Sequence, residues 1–284
     1  MTTTAGAPED SDADPNGILA PAREAARVER RRVADEREAF RAFRGRVESI
    51  SAETVQSANS VDPSKVTRRT GAAGAPGATG AISTGSEPPL GSGLVAVRNA
   101  YADTVMSVPH YRDEYDDTYE RSTAEEFGPE LAYALTRSTG FYAEYQRPLF
   151  DAIDDAIDER ETLLERVDVE VASLDWTASR LASIRGEIPV LGREVPEGDF
   201  GALDACRARA AVLVKNCDRI AARRQHVLAA HARDLRIGDD DVDLPTYLYQ
   251  DLSVTYPALA AVGTLGDRLD ALTRRIERAM ARVG

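Results

Sequence analysis

Residues 150–181 read FDAIDDAIDERETLLERVDVEVASLDWTASRL, and the spacing of their apolar side chains decides the fold. Apolar residues recur there at alternating steps of three and four, and Arg160 is the one polar break in the series. A stripe that repeats about every 3.5 residues keeps one face of a helix turned towards a neighbouring helix. The stretch therefore predicts a long helix that needs a second helix to pack against.

The same spacing recurs in residues 19–50, 203–227 and 262–283, and in the first of these Glu29 and Glu36 occupy apolar positions. Between 201 and 236 the stripe is wider, which favours a bundle of three or four helices over a two-stranded coil. Adjacent long helices joined by short loops run antiparallel. The sequence predicts an all-α fold: an elongated antiparallel helical bundle or coiled coil, with a flexible Gly/Ser/Pro linker and a short Tyr-rich helical module.

The chain is strongly acidic, with 48 Asp and Glu against 35 Lys and Arg, and its only lysines are Lys65 and Lys215. This composition is typical of halophilic proteins, whose acidic surfaces stay hydrated in concentrated salt. At 1 M salt the Debye length is about 3 Å, so surface charges act only at close range. Phosphate binding weakens steeply as salt rises, which makes nucleic acid an unfavourable partner.

The sequence predicts a cytoplasmic protein with no membrane partner. No apolar run reaches the 18 or so residues of a membrane span, and residues 1–16 lack the basic and apolar regions of a signal peptide. Cys206, Cys217 and His231 share one helical face, but 11 residues of helix span about 16 Å, far more than a zinc bond of about 2.0–2.3 Å. We therefore expect these side chains to pack in the core, and we expect no metal, cofactor or catalytic residue.

Composition divides the chain into five segments. We predict a disordered acidic tail at 1–17, an Arg-rich amphipathic helix at 18–50 and a flexible linker at 51–93. A Tyr-rich acidic helical module follows at 94–147, and an antiparallel bundle of long helices at 148–284. Pro148 is expected in the first turn of its helix, where a missing N–H costs little. Pro189 and Gly192 are expected to mark the loop that follows residue 188.

The densest polar cluster, HYRDEYDD at residues 110–117, lies in the Tyr-rich module and is the candidate partner-binding region. The candidate residues are His110, Tyr111, Asp113, Glu114, Tyr115, Tyr119 and Phe127. A second interpretation is an enzyme site, because one imidazole beside several carboxylates is a possible acid–base centre. A third is a solvated acidic face whose tyrosine rings pack inward.

The first helix is basic although the chain is acidic. Its arginines are Arg27, Arg30, Arg31, Arg32, Arg37, Arg41, Arg44 and Arg46. They suggest a nucleic-acid-binding helix. They equally suggest a helix flank that pairs with Glu24, Glu29, Glu36, Glu38 and acidic helices elsewhere, and molar salt favours this alternative.

Three blocks resemble a family of haloarchaeal proteins of unknown function. They are VADEREAF at 33–40, VRNAYADTVM at 97–106 and EFGPE at 126–130. The resemblance implies a halophilic host, but it implies no activity, cofactor or catalytic residue. The function that we expect is a non-enzymatic cytoplasmic helical scaffold that binds a protein partner or itself, and the alternative is a nucleic-acid-associated regulator.

Overall fold

A computed structural model describes residues 15–53, 91–195, 199–234 and 243–283. The helices, in chain order, are α1 (Pro15–Glu48), α2 (Ser92–Ala102), α3 (Tyr111–Glu114), α4 (Tyr119–Phe127), α5 (Pro129–Arg137), α6 (Ala143–Glu194), α7 (Phe200–Asp234), α8 (Leu244–Leu248) and α9 (Pro257–Val283). The described residues contain no β-strand, and one isolated bridge joins Glu53 to Tyr142. The prediction of an all-α fold is confirmed. None of the described helices is both long enough and apolar enough to cross a membrane.

The ends of the helices differ from the predicted ends. Helix α1 begins at Pro15 and ends at Glu48, where the sequence predicted 18–50. Helix α2 begins at Ser92, within the last residues of the predicted linker. The remainder of the predicted tail, 1–14, and most of the linker, 54–90, lie outside the described residues.

Helix α6 is longer than the sequence predicted at both ends. It begins at Ala143, so the predicted boundary at Pro148 falls inside it, and it continues through Pro189 to Glu194. Proline inside a helix removes one backbone hydrogen bond and costs about 3 kcal/mol. The helix continues beyond Pro189 because Leu191 and, just past its end, Val195 are buried in the core, and burial of a large aliphatic side chain contributes about 1.5–3 kcal/mol.

The chain forms two compact units. Of the described residues, 15–32, 163–195, 199–234 and 243–283 form the terminal unit, and 33–53 and 91–162 form the middle unit. Helices α1 and α6 contribute residues to both units.

In the terminal unit, side chains of α1, α6, α7, α8 and α9 share one apolar core. Helices α6 and α7 are antiparallel, because Glu187 pairs with Arg209 and Glu170 pairs with Arg224. The start of α1 packs on α6 of the same chain, where Arg23 and Arg27 both contact Asp175. The three side chains that were predicted to share one face of a helix are all buried in this unit: Cys206, Cys217 and His231. Both thiols are free.

In the middle unit, the second part of α1, helices α2, α4 and α5 and the first part of α6 enclose an aromatic core. The ring of Tyr101 lies edge-on to those of Phe43, Tyr119 and Phe127, with centroids 5.2, 5.5 and 5.7 Å away. Arg44 Nε lies 2.5 Å from Asp154, and Glu36 contacts Arg160, so α1 and α6 are antiparallel within this unit. Edge-to-face aromatic pairs add about 0.5–1.5 kcal/mol to the burial of their area.

Candidate functional site

The candidate partner residues divide into buried and exposed groups. Tyr111 and Tyr119 are 6% and 7% exposed, so both are buried in the middle unit, as expected if the tyrosine rings of this segment pack inward. Phe127 is also mostly buried, because its ring packs against Phe40 and Phe43 of α1. The exposed members are Asp113, Glu114 and Tyr115. His110 is not exposed either, since only 10% of its side chain is accessible.

A buried carboxylate on α1, Glu36, organises the cluster around His110. His110 Nε2 lies 2.9 Å from Glu36 Oε1, and the Tyr115 hydroxyl donates to the same oxygen at 3.1 Å. Arg160 of α6 donates from Nε to Glu36 Oε2 at 3.3 Å. The sequence contained a signal for this arrangement, because Glu36 and Arg160 are both polar breaks in apolar stripes. Neither residue was named as a site residue.

Arg160 joins Glu36 to a second, partly buried carboxylate, Glu126 at the end of α4. Its Nη2 donates to Glu126 Oε1 at 2.6 Å, and its guanidinium lies 4.6 Å from the centre of the Phe40 ring. Burial opposes the charge of Arg160, but Glu126 and Glu36 outweigh this effect and raise its pKa above the ordinary value. Burial raises the pKa of Glu126, and the charge of Arg160 offsets that rise only in part.

A small polar cavity lies beside this cluster. Its volume is about 40 Å³, and its polar walls are Glu36, Tyr111, Tyr115, Asp117, Ser122, Glu125, Glu126 and Arg160. The hydroxyl of Tyr111 is buried and has no hydrogen-bond partner. A cavity of this volume has room for roughly three water molecules.

A larger, open groove lies on the middle unit between α4–α5 and α6. Its volume is about 770 Å³. Phe127, Leu131, Ala134, Tyr145, Pro148 and Ala152 supply its apolar lining, and Glu130, Asp151 and Asp155 supply carboxylates. Gly128 has φ = 81°, a left-handed conformation that glycine adopts without strain, and it separates α4 from α5. No pattern in the sequence indicates this groove.

The terminal unit contains a separate buried polar cluster, centred on Glu170. Arg224 donates to both carboxylate oxygens at 2.6 Å, and the Tyr249 hydroxyl donates to Oε1. His231 Nε2 lies 3.4 Å from Oε2, although its geometry is not that of a hydrogen bond. Burial alone raises the pKa of Glu170, but His231, Arg224 and Tyr249 together lower it to about 2. This cluster joins α6, α7 and the segment after α8 inside the core.

The basic helix α1 carries arginines that are already paired. Each of the eight arginines named above has a carboxylate within 4.0 Å. The partners include Asp168 and Asp175 in the terminal unit, and Asp154 and Glu161 in the middle unit. This is the geometry expected of a helix flank that packs on acidic helices.

The fold and these polar clusters define an all-α protein in which paired helices enclose buried ionic groups. The chain belongs to the family described as Domain of unknown function (DUF7260), whose model matches residues 17–273. Comparisons with the curated proteins and with the solved structures gave no match.

Proposed function

We propose that this protein is a non-enzymatic helical scaffold that holds a partner helix in the groove between α4–α5 and α6. The observation that carries the proposal is the combination of an apolar lining with three acidic side chains in a groove of about 770 Å³. Clefts of roughly 300–1,000 Å³ are typical of binding sites. The groove includes Phe127, one of the partner-binding residues that the sequence predicts.

The groove specifies the chemistry of its occupant. Leu131, Ala134 and Ala152 favour apolar side chains, while Asp151 and Asp155, one turn apart on α6, favour Arg or Lys beside them. Arg147 is 4.0 Å from Asp151 and 89% of its side chain is exposed, so it competes only weakly for this carboxylate. The expected occupant is an amphipathic helix with an apolar face and basic residues along its edge.

The geometry around His110 also supports a scaffold over an enzyme. His110 is bound to Glu36, and the neighbouring cavity of about 40 Å³ is too small for an organic substrate of ordinary size. A catalytic imidazole must reach the proton that it transfers. The buried network fixes helix positions behind the exposed residues Asp113, Glu114 and Tyr115.

We further propose that the protein works in the cytoplasm of a haloarchaeal host. The net charge of −13 and the presence of only two lysines support the halophilic host. The two cysteines of the chain are both unpaired, which supports a reducing compartment. At molar salt, apolar contacts contribute most of the affinity of the groove, and the carboxylates contribute selectivity at short range.

A titration with two model peptides tests the proposed groove. The probes are helical peptides of equal length built from Leu and Arg or from Leu and Glu, and the proteins are wild type, Ala134→Arg and Tyr133→Arg. Tyr133 neighbours Ala134 on α5 but is 69% exposed and does not line the groove, so both variants gain the same charge. We expect the Leu/Arg peptide to bind wild type and Tyr133→Arg equally, and Ala134→Arg at least tenfold more weakly.

Other results would contradict the proposal. Equal peptide binding by the two variants would show that the groove is not the contact surface. Preference for the Leu/Glu peptide would exclude the proposed partner chemistry. A wild-type dimer that Ala134→Arg dissociates, measured by light scattering, would show that the occupant is a second copy of this chain and not a separate partner.

A further inference from the structure

The small cavity beside Glu36 contains a polar group that the protein itself does not satisfy. Tyr111 is 6% exposed, and its hydroxyl has no hydrogen-bond partner. Burial raises the pKa of this phenol and the neighbouring Ser122 hydroxyl offsets that rise only in part, so the Tyr111 hydroxyl stays neutral and can both donate and accept. Buried polar groups in native proteins are almost always paired with protein or with a bound molecule. The Tyr111 hydroxyl therefore indicates that the cavity accommodates a small polar group.

The charges around the cavity indicate the sign of that occupant. Four carboxylates line it, from Glu36, Asp117, Glu125 and Glu126. Two guanidinium groups oppose them: Arg160 contacts Glu36 and Glu126, and Arg121 contacts Asp117 and Glu125. The carboxylates outnumber the guanidinium groups by two, and a protonated His110 on Glu36 would still leave one negative charge. Glu36, Asp117 and Glu126 are mostly buried together with Arg160, whereas Glu125 and Arg121 are exposed. The buried part of the cluster therefore also carries an excess of negative charge, which favours a cation or a proton.

The size of the cavity and the polar groups that line it limit which cation it can hold. A volume of about 40 Å³ admits one small ion or the end of an alkyl chain. Among the described residues, no three His, Cys, Asp or Glu side chains are placed to hold a metal ion. The available groups are instead separate hydrogen-bond acceptors of different kinds: a phenol, the hydroxyl of Ser122 and carboxylate oxygens. Ser122 Oγ already bonds to Tyr101 at 2.8 Å and keeps capacity for a second bond.

We propose that this cavity binds an ammonium group, either as the free ion or as the end of a primary amine. The N–H donors of such a group match the phenol of Tyr111, the hydroxyl of Ser122 and the carboxylate of Glu126. Its charge offsets the excess of carboxylates that Arg160 and Arg121 leave. This inference is independent of the proposed partner groove, which is lined by different polar residues.

Thermal unfolding of the full chain in four chloride salts of equal ionic strength tests the proposal. The cations are ammonium, methylammonium, potassium and tetramethylammonium, of which the last is too bulky and has no N–H donor. We expect ammonium or methylammonium to raise the melting temperature by roughly 2–4 °C relative to tetramethylammonium. A larger rise with ammonium indicates the free ion, and a larger rise with methylammonium indicates the end of a primary amine.

Three variants assign the effect to the cavity. Tyr111→Phe removes one proposed acceptor and Glu126→Gln removes the negative charge of another, and each is expected to lose at least half of the ammonium-dependent shift. Glu144→Gln makes the same chemical change at an exposed position of the middle unit and is expected to keep the full shift. If Tyr111→Phe does not fold, Glu126→Gln alone decides the assignment.

Several outcomes would overturn the proposal. Potassium equal to or better than both ammonium ions would show that N–H donors are not required. Identical melting temperatures in all four salts would show that water, or a proton on Glu126, occupies the cavity. A loss of the shift in Glu144→Gln equal to that in Glu126→Gln would place the bound cation elsewhere.

Discussion

At the scale of single residues, the buried charges of this protein depend on one another. Glu170 and Arg224 are almost completely inaccessible, at 0% and 1% of their side chains. Their two-bond contact leaves neither group in water, so each is tolerated only because the other is present. The exposed pair Glu187–Arg209 connects the same two helices but remains hydrated.

Replacement of Arg224 by Met is expected to destabilise the protein by about 3–5 kcal/mol, because the buried charge of Glu170 loses its partner. Denaturant unfolding monitored by circular dichroism measures this change. Arg209→Met removes an arginine from the exposed pair on the same helix and is expected to have little effect, since exposed ion pairs contribute little. Equal losses in the two variants would mean that burial does not determine the contribution of these pairs.

The stability of the protein should decrease in acid partly through Glu170. Its pKa is lowered to about 2 in the folded chain, against 4.5 as the ordinary value. A carboxylate with a depressed folded pKa contributes stability above its unfolded pKa, and this contribution disappears as the pH falls towards the folded value. The expected window of loss is therefore pH 4.5 to 2. The unfolding free energy of Glu170→Gln, measured across this window, should fall less steeply than that of wild type; parallel slopes would contradict the assignment.

At the scale of helices, the spacing of apolar residues predicted which face of each helix is buried better than it predicted where each helix ends. The stripes of α1, α6, α7 and α9 supply the buried residues, as expected from their spacing. The sequence predicts the end of α6 too early, because Pro189 is typical of a helix end, whereas burial of Leu191 and Val195 extends the helix past it. The polar residues that interrupt the apolar stripes, Glu29, Glu36 and Arg160, mark polar contacts between helices. Tyr247 donates to Glu29, and Arg160 donates to Glu36.

Replacement of Pro189 by Ala is expected to stabilise the protein. Pro189 is exposed, inside α6, and it cannot donate a backbone hydrogen bond. Alanine restores this donor and has the highest helix propensity, so a gain of about 1–3 kcal/mol is expected. Thermal unfolding measures the gain. Pro129→Ala serves as the comparison, because Pro129 is the first residue of α5, where an N–H has no partner within the helix, and it should gain less. An unchanged or lower stability of Pro189→Ala would show that the helix is adapted to proline there.

At the scale of the whole molecule, contacts between residues distant in sequence determine the candidate sites. Glu36, Glu126 and Arg160 come from α1, α4 and α6, and no local pattern links them. The sequence located the acidic segment 110–117, but it did not show that Tyr111 is buried or that His110 faces α1. Burial depends on which helices pack together, and helix spacing alone does not specify neighbours. The two compact units were not predicted for the same reason.

The paired arginines of α1 lead to an expectation for the intact chain. Because these arginines already contact carboxylates and the chain carries a net charge of −13, we expect no nucleic acid to co-purify with the protein at molar potassium chloride. The ratio of absorbance at 260 and 280 nm measures this directly. Nucleic acid that persists at molar salt, and that is released by deletion of residues 1–50, would instead support the nucleic-acid-associated alternative.

The two cysteines of α7 offer a direct measure of how often the terminal unit opens. Cys206 and Cys217 are both 4% exposed, and they are the only cysteines in the chain. Burial, assisted by the charge of Asp218, raises the pKa of Cys217 to about 11, so little reactive thiolate forms at neutral pH. An alkylating reagent can modify these thiols efficiently only after the surrounding helices separate. Their labelling rate in the native chain therefore reports the free energy of opening of this unit without denaturant, at any salt concentration.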